Sequence, residues 1–199
     1  MKLISSLQEQ VVVHLRQRIL SGRLPPGTPL REESLAREFG ISRGPIRDAL
    51  LTLTKEGLLT ARPNAGVKVA VEPSTFKRGV IVGLRREIEA AALAAWFAAK
   101  DPGLLAALDE NLVRYRAACR TGELGAVVEL DMAFHRLLVE SAEAGSLVDL
   151  WLPIILRMYL RYSRHRALIE SYREHAGIVA AMHAGRKGDA LARLRAHMV

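Results

Sequence analysis

Asp131 and His135 stand four residues apart in a stretch with helical apolar spacing, so both side chains leave one helix face. A carboxylate and an imidazole at this spacing can hold one divalent cation, although such a pair is more often a plain surface contact. His175 and His197 fall on the last two expected helices, which short connections make neighbours. Together the four offer three imidazoles and a carboxylate, a set suited to zinc, nickel or another divalent metal. His14, His165 and His183 form no such constellation and read as surface or ordinary core residues.

A second chemistry sits in Ser42-Arg43-Gly44-Pro45-Ile46-Arg47-Asp48-Ala49-Leu50. Ser42 suits an N-cap, and Pro45 falls in the first turn, where its missing N–H breaks no helical bond. Ile46, Leu50 and Leu53 recur at helical spacing and mark a buried face. Arg43 and Arg47 project together from the helix start, where a helix entering a major groove reads bases and phosphates. Read alone, the same stretch is also compatible with a surface helix carrying two solvated arginines.

The elements that must position these residues follow from punctuation. A helix over Ser6–Leu20 ends at Ser21-Gly22, and Leu24-Pro25-Pro26-Gly27 forms a rigid turn. A short helix near Glu33–Phe39 stops at Gly40 and leads into the recognition helix, which ends near Glu56-Gly57; the pair is a helix-turn-helix. Leu58–Ala61 and the alternating Val67, Val69 and Val71 then predict a two-stranded wing about a Pro63–Gly66 turn. Arg62 and Lys68 on that wing are placed to touch phosphates or the minor groove, while the hairpin also closes a small core. Glu72-Pro73-Ser74 reads as a linker. Six helices are expected beyond it, near Phe76–Lys100, Pro102–Thr121, Leu124–Glu143, Ser146–His165, Ala167–Ala184 and Gly188–His197. Pro153 should kink the fourth or delay its start.

Composition bounds the partners. The chain has 199 residues, is half hydrophobic and carries a formal net charge of +8, which suits a polyanion without proving one. Residues 1–71 hold 11 Lys and Arg against 6 Asp and Glu, so the front is the denser positive field. Cys119 is the single cysteine, which fits a reducing compartment. The opening MKLISSLQEQ lacks an apolar signal core, and no apolar run approaches the roughly 20 residues that span a bilayer. A soluble cytoplasmic protein with no membrane partner is expected.

Residues 11–71 resemble the winged-helix domain of the GntR superfamily of bacterial transcriptional regulators. The resemblance rests on Ile19-Leu20, Gly22, Pro26-Gly27, Leu30, Glu32, Leu35-Ala36, Ile41-Ser42-Arg43, Pro45-Ile46-Arg47, Ala49-Leu50, Leu53, Glu56-Gly57-Leu58, Gly66 and Val69. It implies Ser42, Arg43, Gly44 and Arg47 at a double-stranded operator, with Gly66 at the wing tip. Gly44 departs from the family, which commonly has Thr there, so a hydroxyl contact is lost or reassigned. The remainder resembles the effector-binding domain of the FadR-type branch in its metal-binding FCD form, through Leu84-Arg85 with Glu89, Asp131-Met132-Ala133-Phe134-His135, Glu174-His175 with Ile178, and Gly188-Asp189 running to His197. The family's ligands, an Asp-x3-His pair and two later histidines, fall on Asp131, His135, His175 and His197. Such domains enclose a polar cavity in which a small organic acid completes the metal's coordination and an arginine takes its other end. Arg85 is the family-matched arginine, yet Arg85 and Arg86 could equally serve a dimer interface, and Arg157, Arg161 and Arg164 are further candidates.

The expected fold is mainly α: an N-terminal winged helix-turn-helix (1–71) with a small two-stranded wing, a linker (72–78), and an all-α six-helix effector-binding bundle (79–199). The expected function is a homodimeric, metabolite-responsive transcriptional regulator on a pseudo-palindromic operator, more readily a repressor than an activator. Its rivals are a regulator sensing the metal itself, a metalloenzyme using metal-bound water, and a non-specific architectural DNA binder. The enzyme reading lacks a general base of the HExxH kind. Trp96, Phe134, Trp151 and Tyr159 either line the pocket or form plain core.

Overall fold

A computed structural model describes residues 6–62, 66–71, 73–142, 145–160 and 168–198. The chain divides into two compact units, Met1–Pro73 with Leu156–Arg161, and Ser74–Ile155 with Tyr162–Val199.

In the first unit, α1 (Leu7–Leu20) opens on a capping box. Glu9 N–H donates to Ser6 Oγ at 3.2 Å, and Ser6 N–H donates back to Glu9 Oε2 at 2.7 Å. Its apolar face, Val11, Val12, Leu15, Ile19 and Leu20, is buried. Then come β1 (Pro29–Leu30), α2 (Glu32–Phe39), α3 (Arg43–Lys55), β2 (Leu59–Arg62) and β3 (Gly66–Val69). Gly40 ends α2 in the left-handed region at φ 67°, which a glycine adopts without a Cβ penalty. That tight end lets α3 begin three residues later, with Ile46, Ala49, Leu50 and Leu53 buried.

The wing is three-stranded, in the order β1-β3-β2, with both pairings antiparallel. β1 was not expected as a strand, because two residues cannot show alternation and Pro29 offers no N–H. Leu30 is nonetheless buried opposite Val67, and Val69 N–H donates to Thr28 O at 2.9 Å. Pro29 is tolerated because β1 lies at the sheet edge. β3 stops at Val69, and Val71 is exposed rather than on the strand. The turn residues Pro63, Asn64 and Ala65 lie outside the described residues.

The second unit holds α4 (Thr75–Ala99), α5 (Pro102–Thr121), α6 (Leu124–Glu140), α7 (Gly145–Tyr159), α8 (Leu168–His183) and α9 (Lys187–His197). α4 starts inside the segment expected as linker, because Ser74 Oγ accepts from Lys77 N–H and caps it. α5 is set by Asp101 at the N-cap and Pro102 in the first turn. α7 runs through Pro153 rather than beginning after it. His165, Arg161 and Arg164 lie outside the described residues, and Arg157 falls in the part of α7 that belongs to the first unit. α5 packs on α6 and α8, α8 on α9, and α4 on α6 and α9. Leu93, Leu108, Tyr115, Phe134, Leu138, Ile178 and Leu194 lie in the core so formed. Among the described residues, no helix is long and apolar enough to cross a membrane.

Candidate functional site

The three helices α6, α8 and α9 bring Asp131, His135, His175 and His197 to one point. All four are buried, and one ligand atom from each lies within 4.8 Å of the others. His135 Nε2 is 3.1 Å from His197 Nε2 and 3.2 Å from His175 Nε2, and His175 Nε2 is 3.2 Å from Asp131 Oδ1. Behind the donors, two of the three rings hydrogen-bond an acceptor through the other nitrogen. His175 Nδ1 donates to the Ser171 carbonyl at 2.7 Å, and His197 Nδ1 donates to Glu174 Oε2 at 2.6 Å. His135 Nδ1 lies 2.7 Å from Glu89 Oε2, a close contact not aligned as a hydrogen bond. Tyr115 Oη donates to Asp131 Oδ1 at 2.9 Å and lies 2.7 Å from Ser171 Oγ.

This donor set fits a divalent cation. With the His175 and His197 ring protons on Nδ1, both Nε2 atoms lie close to His135 Nε2, at 3.2 and 3.1 Å, an arrangement a cation relieves. Ligands on bonds of about 2.0–2.1 Å in a tetrahedron stand about 3.3 Å apart, close to the observed spacing. Burial pulls His175 down to about 4 against the opposing charge of Asp131, so the ring is neutral and able to ligate at neutral pH. Burial pushes the Asp131 carboxyl up, but His175, His135 and Arg85 outweigh it and hold it below the usual aspartate value. The cluster could therefore hold a divalent metal.

Arg85 faces inward from α4 and is 2% exposed. Its Nε donates to Glu89 Oε1 at 2.7 Å, while its buried Nη2 has no hydrogen-bond partner among the described residues. Arg86 Nε is also buried without one. Trp151, Phe134, Trp96 and Tyr159 are all buried. Trp151 is more than filler, because its Nε1 donates to Glu89 Oε1 at 2.7 Å. Phe134 packs edge-on against His175, with ring centroids 4.5 Å apart. Sequence reasoning missed Tyr115, Ser171 and Trp151, which no spacing ties to the ligands. Glu89 was legible as the i+4 partner of Arg85, and Glu174 as the residue before His175. His14 and His183 are exposed, the latter 2.9 Å from Asp109.

In the first unit, Ser42 occupies the N-cap of α3, but its hydroxyl makes no capping hydrogen bond. Ser42, Arg43, Gly44 and Arg47 are exposed together at the helix start. A Cβ added at Gly44 would meet nothing within 4 Å, so the family's Thr would fit there sterically. Arg43 Nη2 lies 3.2 Å and Arg47 Nε 3.6 Å from the Glu32 carboxylate of α2, a contact absent from the sequence reading. Arg62 is exposed at the end of β2 and pairs in register with Gly66, whose φ of 70° favours glycine.

Two family models match. Residues 7–69 match the bacterial regulatory proteins of the gntR family, and residues 81–199 match the FCD domain. The chain belongs to the GntR family, with an FCD domain. It is 34% identical over 140 residues to an HTH-type transcriptional regulator in an unstable DNA locus of Streptomyces ambofaciens, covering 70% of this chain and 58% of that protein. It is 28% identical over 192 residues to the HTH-type transcriptional repressor RspR of Escherichia coli, covering 94% and 83%. Among solved structures, E. coli McbR/YncC aligns over 98% of this chain and 94% of its own, with a TM-score of 0.83 and 26% identity. A transcriptional regulator of this family with a DNA-binding helix-turn-helix is thus established, and the four-residue cluster lies within the FCD match.

Proposed function

We propose that this GntR regulator is a repressor whose operator affinity is set by a small organic acid bound at a metal in the FCD domain. Convergence of four buried donor residues, three of them hydrogen-bonded to an outer partner and the fourth 2.7 Å from Glu89, is the observation that carries the reading. Asp131, His135, His175 and His197 would hold zinc or nickel. Bound there, the metal would supply a Lewis-acidic position for a carboxylate. Arg85, whose buried Nη2 has no hydrogen-bond partner among the described residues, would take the acid's other end. Ser42, Arg43, Gly44 and Arg47 would meet the operator's major groove, with Arg62 and Gly66 at the wing. Glu32 lies 3.2 and 3.6 Å from the two arginines, and operator phosphates would compete with it for them.

The repressor sign is supported by relatives such as RspR. A homodimer on a pseudo-palindromic operator is supported by an apolar stripe on α4. Phe76, Val80 and Leu84 recur every four residues and are 82%, 51% and 49% exposed. Effector binding acts as a switch only if the acid binds the DNA-free arrangement more tightly than the DNA-bound one. The test is operator binding by full-length protein, metal-loaded or stripped, titrated with a panel of small carboxylic acids. Release by an acid only when metal is present is expected. Release by metal alone would replace this reading with metal sensing, and turnover of any panel acid would revive the enzyme reading.

A further inference from the structure

We infer that Glu89 is the positioning residue of the metal centre, fixing the His135 ring with its proton on Nδ1 and its Nε2 lone pair toward the ion. The inference rests on the metal reading above and deepens it, by assigning a residue outside the four donors to the orientation of one of them.

Glu89 is wholly buried on α4 and reaches three different side chains. Oε1 accepts from Arg85 Nε and from Trp151 Nε1, each at 2.7 Å. Oε2 lies 2.7 Å from His135 Nδ1. Both of these last atoms are buried and, among the described residues, neither makes an aligned hydrogen bond. At 2.7 Å a small rotation of ring or carboxylate pairs them, and leaving both unmet would be costly. An ionised carboxylate accepts only, so Nδ1 must carry the proton, which leaves Nε2 as the ligating lone pair. The equally buried Arg85 guanidinium, whose Nε lies 2.7 Å from Oε1, favours the ionised carboxylate.

A bland alternative is that Glu89 only neutralises a buried arginine. The isosteric Glu89→Gln separates the two. Arg85 and Trp151 both donate into the Oε1 position, so the amide oxygen must sit there and the NH2 must face His135. Nδ1 then has to accept, and the ring proton moves to Nε2, into the donor cluster. A merely charge-neutralising role would cost stability without changing the tautomer.

The experiment is competition of Zn(II) between a chromophoric chelator and full-length parent, Glu89→Gln or His175→Ala, with histidine-selective nitrogen NMR of the metal-free parent. Glu89→Gln should bind zinc about ten- to hundredfold more weakly, as losses of outer partners to ligating histidines do. His135 in the metal-free parent should show the Nδ1–H tautomer, a readout that stands even if the variant fails to fold. Zinc affinity of folded Glu89→Gln equal to the parent's, with His175→Ala losing zinc, would overturn this inference alone. An Nε2–H tautomer at His135 in the parent would do the same. No zinc on the parent, or full binding by His175→Ala, would overturn the metal reading and this inference with it.

Discussion

At the scale of residues, the proposed ligand set is held by hydrogen bonds from side chains that would not themselves touch the metal. Tyr115 illustrates this, since its hydroxyl bridges Asp131 and Ser171 while its ring packs edge-on to His175 at 4.9 Å between centroids. Tyr115→Phe should keep the packing, destabilise the protein by about 1–3 kcal/mol and weaken metal binding several-fold, read by denaturation and by zinc competition. The pH dependence follows from His175, held at about 4 against 6.5 when unfolded. Between those values the unfolded chain binds the extra proton, so acid favours unfolding. Metal-stripped protein should therefore lose roughly 2 kcal/mol of stability between pH 7 and pH 5, measured by urea unfolding. Glu89, at about 2 rather than 4.5, has the depressed shift of a carboxylate, so its contribution is present above 4.5 and fades only as pH falls toward 2. The two effects occupy separate windows, and equal stability at pH 7 and pH 5 would contradict the buried neutral His175.

At the scale of elements, what the sequence made legible was what periodicity and punctuation encode. The i, i+4 spacing put Asp131 with His135 and placed the apolar face of α3, and both are as expected in the structure. Gly40 marked the end of α2 because only a left-handed residue turns the chain there. β1 escaped because a two-residue strand has no period, and Trp151 escaped because its partner is 62 residues away on another helix. Arg43 and Arg47 were visible as a pair, but their contact with Glu32 of α2 was not, since cross-helix pairs depend on packing rather than spacing. Arg47→Ala should weaken operator binding by about 1–3 kcal/mol without changing metal content, as mobility-shift and elemental assays would read. Its exposed pair with Glu32 should contribute little to folding.

At the scale of the whole molecule, the proposed function needs the two matched domains to act in one protein, the winged helix on DNA and the FCD bundle on an effector. The net positive front and the buried donor cluster lie in different parts of the sequence, as that division of tasks requires. Dimerisation through α4 predicts that Val80→Arg with Leu84→Arg gives a monomer by light scattering, with operator affinity reduced at least about tenfold because two half-sites no longer bind together. A dimer surviving that double change would move the interface elsewhere.

The most direct measurement is the metal content of full-length protein purified without chelators or a metal-affinity column, beside its His175→Ala variant. About one divalent ion per chain in the parent, and none in the variant, is the predicted result. No metal in either after reconstitution, with both folded, would contradict a metal-anchored effector site while leaving the DNA-binding domain in place.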